Sequence, residues 1–268
     1  MEEHQGASLG TVRAGPGVLA LCMAVALAGD AYARESDKLL IDEVEKGSPT
    51  QLEDAYPLEY RELDLEALFR YEKVANGHGY VWAPRIEYGF APDWQARVTT
   101  PFLSGKTATD TPLHHTLQVE ILRSFPSETR YSPALAVSAE LDFPTGRGQG
   151  LDTTLKFLAS KTLGTSPLLP RLHLNVAWTH NAAPQTGERN NLYSLAAGYT
   201  QLLNDRLMVI VDFFRQQAFT RGQTENVFEA GVRVAVTSAA VVAVGVGYGV
   251  GSDSRDFHLQ TGVEFTIW

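Results

Sequence analysis

From about Leu58 to its last residue the chain alternates apolar and polar side chains with a period of two. The first clear run sets Leu63, Leu65, Ala67, Phe69 and Tyr71 against Glu62, Asp64, Glu66 and Arg70. The final run sets Phe257, Leu259, Thr261, Val263, Phe265 and Ile267 against His258, Gln260, Gly262, Glu264 and Thr266. Successive side chains of a strand point to opposite faces, so such runs predict strands with one apolar and one polar face. Ten more lie between them: Tyr80 to Phe90, Trp94 to Phe102, His115 to Ile121, Pro133 to Phe143, Leu155 to Ala159, Leu172 to Trp178, Tyr193 to Tyr199, Leu207 to Phe213, Phe228 to Val236 and Val242 to Val250. The pattern predicts twelve strands, an even number.

The connections alternate in length. Turns at Ala91 to Asp93, Pro126 to Tyr131, Gly164 to Leu169, Leu203 to Asp205 and Thr237 to Ala239 are mostly short. Those between them, at Ser104 to Pro112, Pro144 to Leu151, Asn181 to Asn190 and Gln217 to Glu225, are longer and rich in Gly, Thr, Asn and charge. Short turns on one side and long loops on the other predict an all-β fold, a transmembrane up-and-down antiparallel β-barrel. Aromatic residues such as Tyr71, Tyr80, Trp82, Trp94, Trp178 and Tyr193 cluster at strand ends. Their rings suit the two interfaces of a bilayer, being apolar with a polar tip. Lys161 and Arg215 end apolar faces, within reach of headgroups. A bilayer tolerates no open sheet edge, so the last strand must pair with the first. That last strand carries Phe265 and Trp268, an ending of the kind the barrel assembly machinery reads on outer-membrane barrels.

Composition narrows the reading. A net charge of −9 and a pI near 5.3 leave no basic field for phosphate, so no nucleic acid partner is expected. After the first forty residues no apolar run is long enough for a spanning helix. The N-terminus, with Arg13, the apolar core "GVLALCMAVALA" and then "AYA", reads as a cleaved export signal covering residues 1–33. Residues 34–57 are polar and acidic with a helix-compatible "DKLLIDEVEKG", and are expected to form a periplasmic N-terminal segment or a small plug; residues 58–268 form the barrel in the outer-membrane lipid. The single cysteine, Cys22, lies inside the export signal. The mature chain therefore has no disulfide, thiolate zinc site or cysteine nucleophile.

The stretches "RELDLEALFRYEK", "APRIEYGFAPDWQARVTTP", "LDFPTGRGQG" and "VGVGYGVGSDSRDFHLQTGVEFTIW" resemble the outer-membrane proteins grouped as the MetA-pathway of phenol degradation family. The resemblance covers most of Leu58 to Trp268. It implies a transporter-like barrel with a loose link to aromatic compounds, and it supplies no site residues to carry over.

Candidate chemistry is sparse. "TGRGQG" and "GVGYGVG" lack the helix start that a phosphate loop needs. Gly245, Gly247 and Gly249 share one face, expected to be luminal and to leave a narrow polar passage bordered by Arg233, His258, Gln260 and Glu264. A barrel lipid hydrolase would need a serine, a histidine and a third polar group in reach; His115 faces lipid without such a partner, and adjacent His114 points the other way. His173 and His258 project inward. No catalytic residue, metal site or cofactor is expected. The inward face carries mixed charge, including Arg97, Glu120, Glu140, Arg171, Glu229, Arg233 and Glu264. Such a lumen either is filled by ion pairs that stiffen the barrel or forms a constriction that selects a solute. The expected function is passive transport of a small, mostly uncharged or amphipathic solute, with a filled structural barrel, a lipid hydrolase and a soluble periplasmic binding barrel as alternatives.

Overall fold

The computed structural model describes residues 41, 44, 47–75, 77–105, 116–125, 128–144 and 150–267. The expected export signal (residues 1–33), His114, His115 and Trp268 lie outside the described residues. Strands run in chain order as β1 (Leu63–Val74), β2 (Gly77–Ala91), β3 (Trp94–Thr99), β4 (Phe102–Gly105), β5 (Thr116–Phe125), β6 (Ala134–Pro144), β7 (Asp152–Thr162), β8 (Arg171–His180), β9 (Asn191–Asn204), β10 (Leu207–Gln217), β11 (Thr224–Thr237), β12 (Ala240–Gly249) and β13 (Phe257–Thr266).

All neighbours pair antiparallel, and β1 pairs with both β2 and β13, so the sheet closes on itself. The expected single strand from Trp94 to Phe102 is instead two segments, β3 and β4, both paired with β2. Pro101 explains the break, because it has no N–H for the ladder. Thr100 N–H still reaches Pro84 O at 3.1 Å. The thirteen segments therefore make twelve passes. No described helix is long and apolar enough to cross a membrane, which says nothing against crossing by strands.

The pleat sorts the side chains as the alternation demands. Phe69, Ile86, Val137, Phe157, Leu174, Val211 and Val246 are exposed on the outer wall, and Glu66, Arg85, Ser138, Lys156, His173, Asp212 and Gln260 are buried inside. The start of β1 and the end of β13 meet at one mouth, where Asp64 faces Thr266. That mouth also carries the tight turns after β2, β9 and β11. At the opposite, long-loop mouth the β8–β9 and β10–β11 loops bond to each other, Arg189 N–H to Phe219 O at 2.8 Å and Arg221 N–H to Gly187 O at 2.9 Å.

Candidate functional site: the lumen and the segment inside it

For the N-terminal segment the sequence leaves two placements, a periplasmic piece or a small plug. Its described part, residues 47–58 with Ile41 and Val44, lies inside the barrel wall and does not hang below it. Gln51 N–H donates to Glu229 Oε2 at 2.7 Å on β11, and Glu53 N–H to Asn175 Oδ1 at 2.9 Å on β8. Ala55 N–H donates to Ser160 Oγ at 2.9 Å on β7, and Leu58 N–H to Gln95 Oε1 at 2.9 Å on β3. Buried backbone groups need partners, and here wall side chains supply them.

Apolar contacts fix the same placement. Ile41, Val44 and Leu52 pack with Ala196, Leu202, Met208, Ile210, Phe214 and Val227, while Ala55 packs with Leu122, Ala134, Ala136 and Leu158. These wall residues are inward-facing apolar positions that the sequence reading passed over. A signal existed: "LMVIVDFF" in β10 is apolar on both faces, which suits a strand covered on both sides.

The glycine strip faces inward, but no passage lies over it. A side chain at Gly245 would meet Pro49 O at 2.3 Å, one at Gly247 the His258 ring at 2.0 Å, and one at Gly249 Arg255 O at 1.8 Å. A Cβ added at Gly231 would meet Pro49 Cγ at 2.5 Å, and one at Gly262 would meet Ser48 Oγ at 2.8 Å. Gly231, Gly245 and Gly262, on adjacent strands, thus form a cradle for Ser48 and Pro49. The missing side chains make room for Ser48, Pro49, His258 and Arg255 of the protein itself, so the expected open strip is corrected to an occupied one.

Most of the candidate charges join networks across this plane. Arg97 bonds Glu53 at 2.6 Å, Glu87 at 2.8 Å and Glu120 at 2.9 Å. Lys156 contacts Glu120 at 2.7 Å, Glu53 at 3.1 Å and Glu140 at 3.9 Å. Arg233, fully buried, holds Glu264 at 2.8 Å and Ser48 O at 3.2 Å. His258 Nε2 lies 2.9 Å from Glu229, and Gln260 accepts from Gln51 Nε2 at 3.5 Å. His173 sits between Ser160 Oγ and Thr200 Oγ1, each at 2.9 Å. Behind this Ser–His contact stands the Thr200 hydroxyl and not a carboxylate, and Ser160 is fully buried under Ala55 N–H, so it lacks the access of a nucleophile. Among the described residues no three acidic or histidine side chains are grouped to hold a metal.

Near the short-turn mouth the segment is fastened. Tyr56 donates its hydroxyl to Glu128 Oε2 at 2.6 Å, and the Arg171 guanidinium lies over the Tyr56 ring at 4.9 Å. Lys161, expected at the headgroups, turns to Glu128 Oε1 at 2.6 Å, and Thr162 N–H reaches the same oxygen at 2.7 Å. Partial burial opposes the charge on Glu128, but the hydrogen bonds from Lys161, Tyr56 and Thr162 outweigh it and hold the carboxyl down at about 2. Burial and the Glu128 bond push the Tyr56 hydroxyl up.

On the long-loop side of the segment a cavity of about 260 Å³ remains. Gln51 and Glu53 line it together with Glu140, Asp142, Asp152, Thr154, Lys156 and Thr179, and Ala177, Ala196, Phe214 and Phe219 give it an apolar side. Asp142 and Asp152 are cross-strand partners, as are Glu120 and Glu140. Like charges placed opposite each other repel, so this wall favours positive charge in front of it.

No family model matches the chain, and no curated protein matches it by sequence. Solved structures do match. An outer membrane channel from Pseudomonas putida F1 superposes with a TM-score of 0.60 at 12% identity, over 84% of this chain and all (100%) of that one. The NanC porin gives 0.57 at 13% identity over 76% of this chain and 98% of that one. The KdgM porin gives 0.56 at 7% over 76% and 99%. Identities this low speak for the fold. The chain has the fold of these outer-membrane channels, a closed antiparallel β-barrel of twelve passes.

Proposed function

We propose that the barrel passes a small polar or amphipathic solute, neutral or cationic, entering from outside the cell at the long-loop mouth. The cavity above Gln51 and Glu53 carries this reading. Four lining carboxylates, Glu53, Glu140, Asp142 and Asp152, face one cation, Lys156, so an anion meets a repulsive wall while an amine or hydroxyl finds acceptors. Phe214 and Phe219 give one side of the cavity an apolar surface for a ring or short alkyl group. The expected link to aromatic compounds belongs to this proposal, and no matching family model supports membership in the MetA-pathway family. Export through a cleaved signal, and reading of the Phe265 strand by the assembly machinery, belong to the same proposal.

Planar-bilayer and vesicle-swelling measurements on the reconstituted protein test it. Small, infrequent currents with cation preference are expected, because a twelve-strand wall is narrow and its middle is filled. Glu140→Lys with Asp142→Lys should move the reversal potential toward anions. Absence of current and swelling for every solute, both in the native protein and in a variant with the segment displaced by Gly231→Val, would leave the filled structural barrel as the function.

A further inference from the structure

We infer that residues 47–58, together with Val44, are a gate that leaves its seat as one piece, and are not permanent filling. The segment carries its own bonds: Gly47 N–H to Thr50 O at 2.6 Å, Asp54 N–H to Val44 O at 2.9 Å, and Val44 N–H to Asp54 Oδ2 at 3.1 Å. The ring of strands closes without it. Wall side chains hold it, and these can be solvated once it moves.

Withdrawal leaves the buried cations paired. Arg97 keeps Glu87 and Glu120, Lys156 keeps Glu120, and Arg233 keeps Glu264. A permanent plug whose removal stranded a buried cation would be held by the cost of leaving that charge unpaired, whereas these three cations keep carboxylate partners on the wall. The segment is anchored where Arg61 N–H meets Gly89 O at 2.6 Å and Gly89 N–H meets Glu62 O at 3.0 Å. Movement therefore pivots at residues 58–61, beside the Tyr56 fastening. Apolar contact of Val44 and Leu52 with the β9–β11 wall keeps the seated state dominant.

The cradle supplies the test. A Cβ on Gly262 would lie 3.5 Å from Ser48 Cβ, within the range a disulfide accepts. In a Cys22→Ser background, Ser48→Cys with Gly262→Cys should close the gate when oxidised and free it on reduction. Flux in swelling vesicles should fall to the protein-free level on oxidation, with the crosslink verified by mass, and return with reductant. Equal flux in the two states overturns the gate while leaving passage intact. A second readout needs no solute. The single variant Leu52→Cys, at a fully buried position, is exposed to a small maleimide in the folded, reconstituted barrel. Labelling slowed roughly 10- to 1,000-fold relative to the unfolded chain marks a minor open state of the size such equilibria show. Labelling without flux upholds the gate and counts against the transport reading on which its purpose rests. No labelling while the barrel stays folded makes the segment filling and ends the proposal.

Discussion

Val176 and Ala177 are neighbours on β8 with opposite surroundings. Val176 is 41% exposed on the outer wall, while Ala177 lines the acidic cavity. An arginine near the midplane of such a wall costs roughly 2–4 kcal/mol, and one that enters an aqueous, negative lumen costs little. Val176→Arg should therefore reduce the yield of folded, heat-modifiable barrel sharply, and Ala177→Arg should not. Equal yields would contradict the register. Gly247 shows how a neighbour decides the outcome. Viewed from its strand alone, a leucine there has lumen to enter, but the His258 ring stands in that space. Gly247→Leu should lower the thermal midpoint of the barrel and break the approach of His258 to Glu229, so the midpoint loss should shrink in a His258→Ala background.

Elements bring in the turns and the segment. Glu128, in the connection after β5, fastens Tyr56 across to the start of the β7–β8 turn. Its carboxyl is held down at about 2 in the folded protein, below the ordinary carboxylate value of roughly 4.3. The unfolded chain thus binds this proton first. The charge stabilises the fold fully above the ordinary value, and the contribution is lost as pH falls through about 2. The gap in thermal midpoint between the native protein and Glu128→Gln should be constant from about pH 8 to 5 and close progressively below about 4.3. A gap that widens on acidification would show that Glu128 is not the fastened charge. At the other end of the segment, Gly231→Val should push Pro49 from the cradle and speed labelling of Leu52→Cys, since the nearest obstacle, Pro49 Cγ at 2.5 Å, belongs to a stiff ring.

For the whole molecule, closure and contents have different origins. Closure predicts that unboiled protein migrates as a compact species on a denaturing gel and shifts on boiling, because the pairing of β1 with both β2 and β13 joins the first and last strands into a ring. The alternation of residues 63–267 determines the strands, their inward and outward faces and the even number of passes, because a period of two is a local property and a bilayer allows few ways to satisfy the backbone. The alternation of short and long connections fixes the up-and-down order in the same local way. Pro101 marked its own break in β3 and β4, a signal that was legible and outweighed by the apolar run around it. What occupies the lumen is not local. That Ser48 and Pro49 rest on Gly231, Gly245 and Gly262 joins positions more than 180 residues apart, as in the bond from Arg233 to Ser48 at a separation of 185. An inward glycine looks the same in a sequence whether water or backbone lies over it, and an inward charge looks the same whether it selects a solute or holds a plug. The sequence by itself determined the wall of this protein. The segment threaded into it, the cavity left above Glu53 and the partner of each luminal charge were decided only by the closed tertiary structure, which brings the N-terminal residues against nearly every strand at once.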